Sequence, residues 1–284
     1  MRLLARLPHR FRDHRFLLEL FVTSNLAFLA IDIVVAHSVN RFHHVAEWIP
    51  LIFCVIGATT LGVTLLRGGS PDAGRHRTVG TIVGWLAVVI GFAGMVWHLE
   101  SQFFQLRTLR SLVYSAPFVA PLAFTGLGLL LLLNRTATAR HTLEWAAWVV
   151  FLALGGFVGN FGLSLADHAQ NGFFHPAEWI PVAISALGVG YLSVVLLVPP
   201  TTTFLRLSIW VLWLQAMTGV VGFGLHLLPL FHPSSAAWMD RIVFGPPVFA
   251  PLLFANLALL AGLGLWVMSQ APEPIGDAAG IRVS

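Results

Sequence analysis

Eight apolar runs, each long enough to cross about 30 Å of hydrocarbon, occupy most of the chain: about 16–36, 47–66, 79–99, 113–133, 143–165, 178–198, 204–228 and 243–268. A water-soluble domain has no way to hide that much apolar surface, and only 10% of the residues are charged, against roughly 25% in ordinary globular proteins. The sequence therefore predicts an all-α integral membrane protein of eight transmembrane helices. An even number of spans puts both termini on one side. Arg2, Arg6, Arg10, Arg12, Arg15, Arg67, Arg75, Arg77, Arg135, Arg140, Arg206 and Arg282 fall on that side, and Arg41, Arg107, Arg110 and Arg241 on the other. Arginine accumulates in cytoplasmic loops, so both termini are expected in the cytoplasm. The first span is too long for a signal-peptide core, and it carries Glu19 and Asp32 without a small-residue cleavage site. It is expected to stay as a helix.

All 16 basic residues are arginine, so a Schiff base on lysine, as in retinal or pyridoxal phosphate chemistry, is excluded. Cys54 is the single cysteine, which rules out an intramolecular disulfide and a thiolate metal cluster built from this chain. The lysine-free composition suggests a GC-rich bacterial genome, hence the bacterial inner membrane with a periplasmic outer face. The partners expected are the lipid bilayer and either a quinol or a periplasmic protein, with nothing that suits nucleic acid.

The two halves of the chain resemble each other. Asn40 to Pro50 reads N-R-F-H-H-V-A-E-W-I-P and Asn171 to Pro181 reads N-G-F-F-H-P-A-E-W-I-P, eight of eleven positions being identical at an offset of 131. His37 matches His168 at the same offset; Gly91, Gly94 and His98 match Gly219, Gly222 and His226; and Pro117 and Pro121 match Pro247 and Pro251. This predicts a tandem duplication of a four-helix unit. The expected division is a basic segment 1–15, a first repeat 16–134, a second repeat 135–270 and a disordered tail 271–284. Because each unit has an even number of spans, the copies lie parallel about an axis along the membrane normal.

With odd spans running outward and even spans inward, the matched polar residues gather at the outer boundary. One set is His37, His44, Glu47 and His98; the other is His168, His175, Glu178 and His226. The H-x-x-E spacing of His44 with Glu47, and of His175 with Glu178, puts both side chains on one helical face. With imidazoles from two further helices they offer three or four ligands to Zn, Cu or non-haem Fe. Asp32 and Asp167 are candidate outer partners of these ligands. The set is too rich in imidazole for a carboxylate-bridged di-iron centre, and the histidine boxes of membrane desaturases do not occur.

Each feature also has a plain structural role. Glu47 and Glu178 complement helix N-termini, Pro50 and Pro181 suit a first turn, and Trp48 and Trp179 suit a membrane interface. These roles do not account for three histidines converging from three helix ends twice over. Two cofactors remain open: a transition metal ion with redox or Lewis-acid chemistry, Glu47 or Glu178 being available as a base, or b-type haem with His98 and His226 as axial ligands in a quinol-linked redox subunit. Glycines 91, 94, 219, 222 and 224 suit close helix packing and equally porphyrin clearance. The prolines 117, 121, 247 and 251 read first as kinked helix starts and second as a device that frees carbonyls near the site. A transporter or assembly subunit is the third class, disfavoured because the bilayer midplane is nearly empty of ionisable residues. Whether the protein is an enzyme is left open by the sequence.

Overall fold

The computed structural model describes residues 9–68, 74–136, 142–198, 201–233 and 235–270. The expected tail 271–284 lies outside these, as do Arg2, Arg6, Arg140 and Arg282. Among the described residues every regular element is helical. In chain order they are α1 (His14–Ser38), α2 (Trp48–Leu66), α3 (Gly74–Glu100), α4 (Phe103–Leu106), α5 (Leu109–Val113), α6 (Leu122–Thr136), α7 (Thr142–Gln170), α8 (Trp179–Leu197), α9 (Thr202–Phe231), α10 (Trp238–Phe244) and α11 (Leu252–Met268). Single 3-10 turns, Val45–Glu47 and Pro176–Glu178, lead into α2 and α8.

Local chemistry sets the helix starts. The Asp13 carboxylate accepts from the Arg15 amide at 2.9 Å, and the Thr201 hydroxyl accepts from the Phe204 amide at 3.2 Å, each satisfying a donor that the first turn leaves free. The helices present large apolar side chains outward, Trp210 at 71% and Leu259 at 70% exposure among them. That is expected where the solvent is lipid and the backbone satisfies its own polar groups.

Six helices are long and apolar enough to cross a membrane: α1, α2 and α8 with their lead-in turns, α3, α7 and α9. The expected fourth and eighth spans differ from their sequence bounds. In place of helices over 113–133 and 243–268, α6 has 15 residues and α11 has 17, about 22 and 26 Å at 1.5 Å per residue. The cause is the proline pairs. Pro117, Pro121, Pro247 and Pro251 lack amide hydrogens and push the preceding residue out of helical conformation, so the chain turns through 115–121 and 245–251 before each helix starts. α6 also runs to Thr136, two residues past the expected repeat boundary at 134.

In the first half α1 packs along α2 and α3 along α6; in the second, α7 packs on α8 and α11 packs on both α7 and α9. The halves meet where α1 touches α11 and α10, and where α7 touches α6 and α5. Asn25 of α1 and Asn256 of α11 join this seam by reciprocal amide hydrogen bonds, Asn25 Nδ2 donating to Asn256 Oδ1 at 3.1 Å. Asn160 is buried with its Nδ2 unpartnered.

One charged pair lies inside the first half. Arg135, at the end of α6, forms a bidentate ion pair with Glu19 of α1, both side chains being 1% exposed. The Asn134 amide donates to Glu19 Oε2 at 3.2 Å and to the Arg15 carbonyl at 3.0 Å. The guanidinium lies in the space that a side chain at Gly80 of α3 would fill. Arg135 is therefore not a solvated loop charge.

Candidate functional site

In the first half three of the matched residues come together at one end of the bundle. His37 is in the last turn of α1, Glu47 ends the 3-10 turn before α2, and His98 is in the last turn of α3. All three are partly buried. The His37 and His98 rings are 6.4 Å apart between centroids at 73°. Asn40 Nδ2 donates to Glu47 Oε1 at 3.1 Å. The other carboxylate oxygen, Glu47 Oε2, is buried without a hydrogen-bond partner, and so is His37 Nδ1. Buried polar atoms left unpaired are costly and are the places where a ligand gains most.

The connection from α1 to Glu47 has an unusual backbone. Arg41 and Phe42 both adopt left-handed conformations, φ 57° and 51°, while the Asn40 and Phe42 amides fold back onto the His37 carbonyl. Gly172 and Phe173 repeat this at φ 71° and 50°, with the Asn171 and Phe173 amides on the His168 carbonyl. In each copy the turn places a phenylalanine between histidine and tryptophan. Phe42 lies 5.7 Å from His37 and 4.6 Å from Trp48, and Phe173 lies 6.1 Å from His168 and 3.9 Å from Trp179.

The proline pairs take part in the site. His98 Nδ1 is 3.0 Å from the Pro117 carbonyl oxygen, and His226 Nδ1 is 2.8 Å from that of Pro247. A carbonyl only accepts, so Nδ1 carries the proton, and in the neutral ring the lone pair is on Nε2. The amide that would cap this carbonyl in a helix, four residues on, belongs to Pro121 or Pro251 and has no hydrogen to give. The Ala120 and Ala250 amides also bond these carbonyls, at 3.0 and 3.3 Å. Of the two sequence readings of the prolines, the freed carbonyl is the one that reaches the histidine.

Gly91, Gly94, Gly219 and Gly222 serve packing, whereas a Cβ on Gly224 would meet open space. A Cβ on Gly91 would lie 2.9 Å from the Pro121 carbonyl, and one on Gly219 2.8 Å from that of Pro251. The space beside these glycines is taken by α6 and α11.

The second copy holds the same parts differently. His168 Nδ1 stands 3.5 Å from Glu178 Oε2, which like Glu47 Oε2 is buried without a hydrogen-bond partner. His44 and His175 lie apart from the buried groups: both are exposed and both precede the 3-10 turns in extended conformation. His175 Nδ1 accepts from the Ala177 amide at 3.2 Å, whereas His44 makes no such cap. Neither Asp32 nor Asp167 hydrogen-bonds a histidine of the two sets. Among the described residues no three His, Cys, Asp or Glu side chains stand close enough, as placed, to hold a metal ion. Outside the sets, Arg241 donates to the Leu230 and His232 carbonyls at 2.7 and 2.9 Å, closing the end of α9.

The chain matches no family model, no curated protein and no solved structure.

Proposed function

We propose that this is an eight-span, internally duplicated protein of the bacterial inner membrane that binds one transition metal ion (Zn, Cu or Fe) in each half, at its outer face, for redox or Lewis-acid chemistry. One observation carries the reading. In both halves a backbone carbonyl holds the proton on Nδ1 of His98 or His226, and metal-binding histidines are oriented in this way, the nitrogen remote from the carbonyl being left for the metal.

Further support comes from what surrounds that ring. Metal to imidazole bonds are about 2.0 Å, so a 6.4 Å separation between the His37 and His98 rings leaves room for an ion between them. Closing the site requires rotations of His37 and Glu47; the unpartnered Nδ1 and Oε2 give up no hydrogen bond, while Glu47 Oε1 gives up the one from Asn40. The packing of α6 beside Gly91 and Gly94 favours a bare ion over haem. α6 and α11 then serve as the fourth and eighth spans, shortened on the outer side by the proline turns. The contacts between halves also suit a twofold arrangement, because α1 on α11 exchanges with α7 on α6, and α1 on α10 with α7 on α5. The arginine distribution puts the termini in the cytoplasm and the sites outside.

The test is elemental analysis and absorption spectroscopy of detergent-purified, tag-free protein. Stoichiometric metal without a Soret band, lost in the His98→Ala, His226→Ala double variant while membrane insertion persists, is the expected result. A Soret band would replace the bare ion with haem, and undiminished metal in the double variant would overturn the site.

A further inference from the structure

The second half buries three uncharged polar side chains away from the histidines: Asn160 of α7, Ser185 of α8 and Gln215 of α9, at 3%, 0% and 0% exposure. They lie at one level. A Cβ on Gly188 would stand 2.6 Å from Gln215 Nε2 and 3.4 Å from the Phe157 ring, so α7, α8 and α9 meet there. Asn160 follows Phe157 by one turn and Ser185 precedes Gly188 by one turn. Because α7 and α8 run in opposite directions, both are displaced toward the histidine end. The Gln215 side chain reaches the same way, its Nε2 donating to the Ile184 carbonyl. The hydrogen bonds of this group do not close. Asn160 Nδ2 is a donor without an acceptor, and Gln215 Oε1 an acceptor without a donor. The Ser185 hydroxyl gives its proton to the Pro181 and Val182 carbonyls and keeps its lone pairs. Unpaired atoms of both kinds are costly in an apolar interior, and a water molecule is the smallest group that accepts from the one and donates to the other.

Asn160 is also the deep end of a polar file. Ser164, Asp167 and His168 continue the stripe of Ala153, Phe157 and Asn160 that α7 buries, and all three are themselves partly buried. The file covers about 12 Å at 1.5 Å per residue and ends where His168 faces Glu178. At the matched places α1 carries Leu29, Ile33 and Ala36 before His37, and Cys54 and Ala87 stand for Ser185 and Gln215. Asp32 matches Leu163 and is out of register with the file. Polar residues inside a membrane helix face the bundle interior or a hydrated cavity. We propose that the second half takes water into its interior. An aqueous inlet, open at the histidine end, runs along α7 past Asp167 and Ser164 to a water molecule held by Asn160 and Gln215. The first half has no such inlet. The path connects the Asp167 carboxyl, a proton carrier, with the aqueous phase at that end, and it stands whether or not the histidines bind metal.

Cys54 and Ser185 occupy matched places, so the chain contains its own control. The experiment compares full-length proteins with one thiol each: the wild-type chain with Cys54, and Cys54→Ser chains carrying Ser185→Cys, Ser164→Cys or Ile33→Cys. Each is exposed in detergent to Ag+ in nitrate buffer, quenched and unfolded, and the remaining thiol is counted with a fluorescent maleimide. Ag+ is small enough to follow water, and it takes the thiolate, the form that hydration favours over apolar burial. Ser164→Cys and Ser185→Cys are expected to react on the order of tenfold faster than Cys54 and Ile33→Cys. Ser164→Leu added to the Ser185→Cys chain plugs the file and is expected to restore the slow rate. Serine to cysteine changes little in shape, so both test variants keep the fold. Equal rates for Ser185→Cys and Cys54, or a fast Ser185→Cys rate that Ser164→Leu leaves untouched, would overturn the inlet.

Discussion

At one end of the first half, Glu19, Arg135 and Asn134 are buried together. The sequence counterparts in the second half are Val150, Leu265 and Gly264, the first two fully buried and apolar. Deeper in the bundle the polarity is reversed. The second half buries Asn160, Ser185 and Gln215 where the first has Leu29, Cys54 and Ala87. Gln215 uses its amide on the Ile184 carbonyl of α8, and Ser185 turns back on the Pro181 carbonyl at 2.8 Å. The opposite ends, by contrast, keep the same histidines, glutamates, prolines and left-handed turns. The helical frame thus tolerates either a charged or an apolar filling at matched places, so the histidine cluster is not something that packing demands.

That comparison is broken most severely by Arg135→Ala. Leaving Glu19 buried and unpaired is expected to cost about 3–5 kcal/mol, whereas converting the pair to its second-half equivalent, Glu19→Val with Arg135→Leu, is expected to restore wild-type stability or exceed it. Thermal unfolding in detergent, followed by tryptophan fluorescence, distinguishes the outcomes. A double variant as unstable as the single one would mean that the charges are indispensable. A smaller effect is expected at the left-handed turn. Arg41 sits in the left-handed region where its counterpart is Gly172, so Arg41→Gly should raise stability by about 1 kcal/mol, with Gly172→Arg lowering it by a similar amount. Unchanged midpoints in both variants would show that the turn carries no strain. The smallest effect concerns the seam. A double-mutant cycle on Asn25→Ala and Asn256→Ala should return a coupling of about 0.6 kcal/mol, as found for hydrogen bonds between membrane helices. A coupling of zero would dissolve that link between the halves.

The all-helical, membrane-spanning character was legible in the residue pattern, because apolar runs act over long stretches. The helix ends and the pairings were less so. The H-x-x-E spacing suggested one face of an α-helix, but His44 and His175 lie just before their 3-10 turns, at φ −98° and −117°, where helical periodicity does not apply. Arg135 looked like a loop charge because the apolar run stops before it. The signal that finds its role is Glu19, an acid inside an apolar span, which in hydrocarbon needs a partner. The proline pairs were read first as kinks, since a sequence shows which carbonyls lose an amide but not which side chain reaches them. The close approach of His168 to Glu178 depends on side-chain torsions that no spacing encodes.

The ion pair of Glu19 with Arg135 spans 116 residues of chain, and the Asn25 to Asn256 pair spans 231. At about 5–20 residues per second of synthesis, Glu19 waits roughly 6 to 23 s for its guanidinium, and Asn25 roughly 12 to 46 s for its amide. α1 thus enters the membrane with a carboxyl and an amide whose final partners have not been made. The first helix to arrive is therefore among the last to settle, and the completion of α11 marks the moment the two halves close.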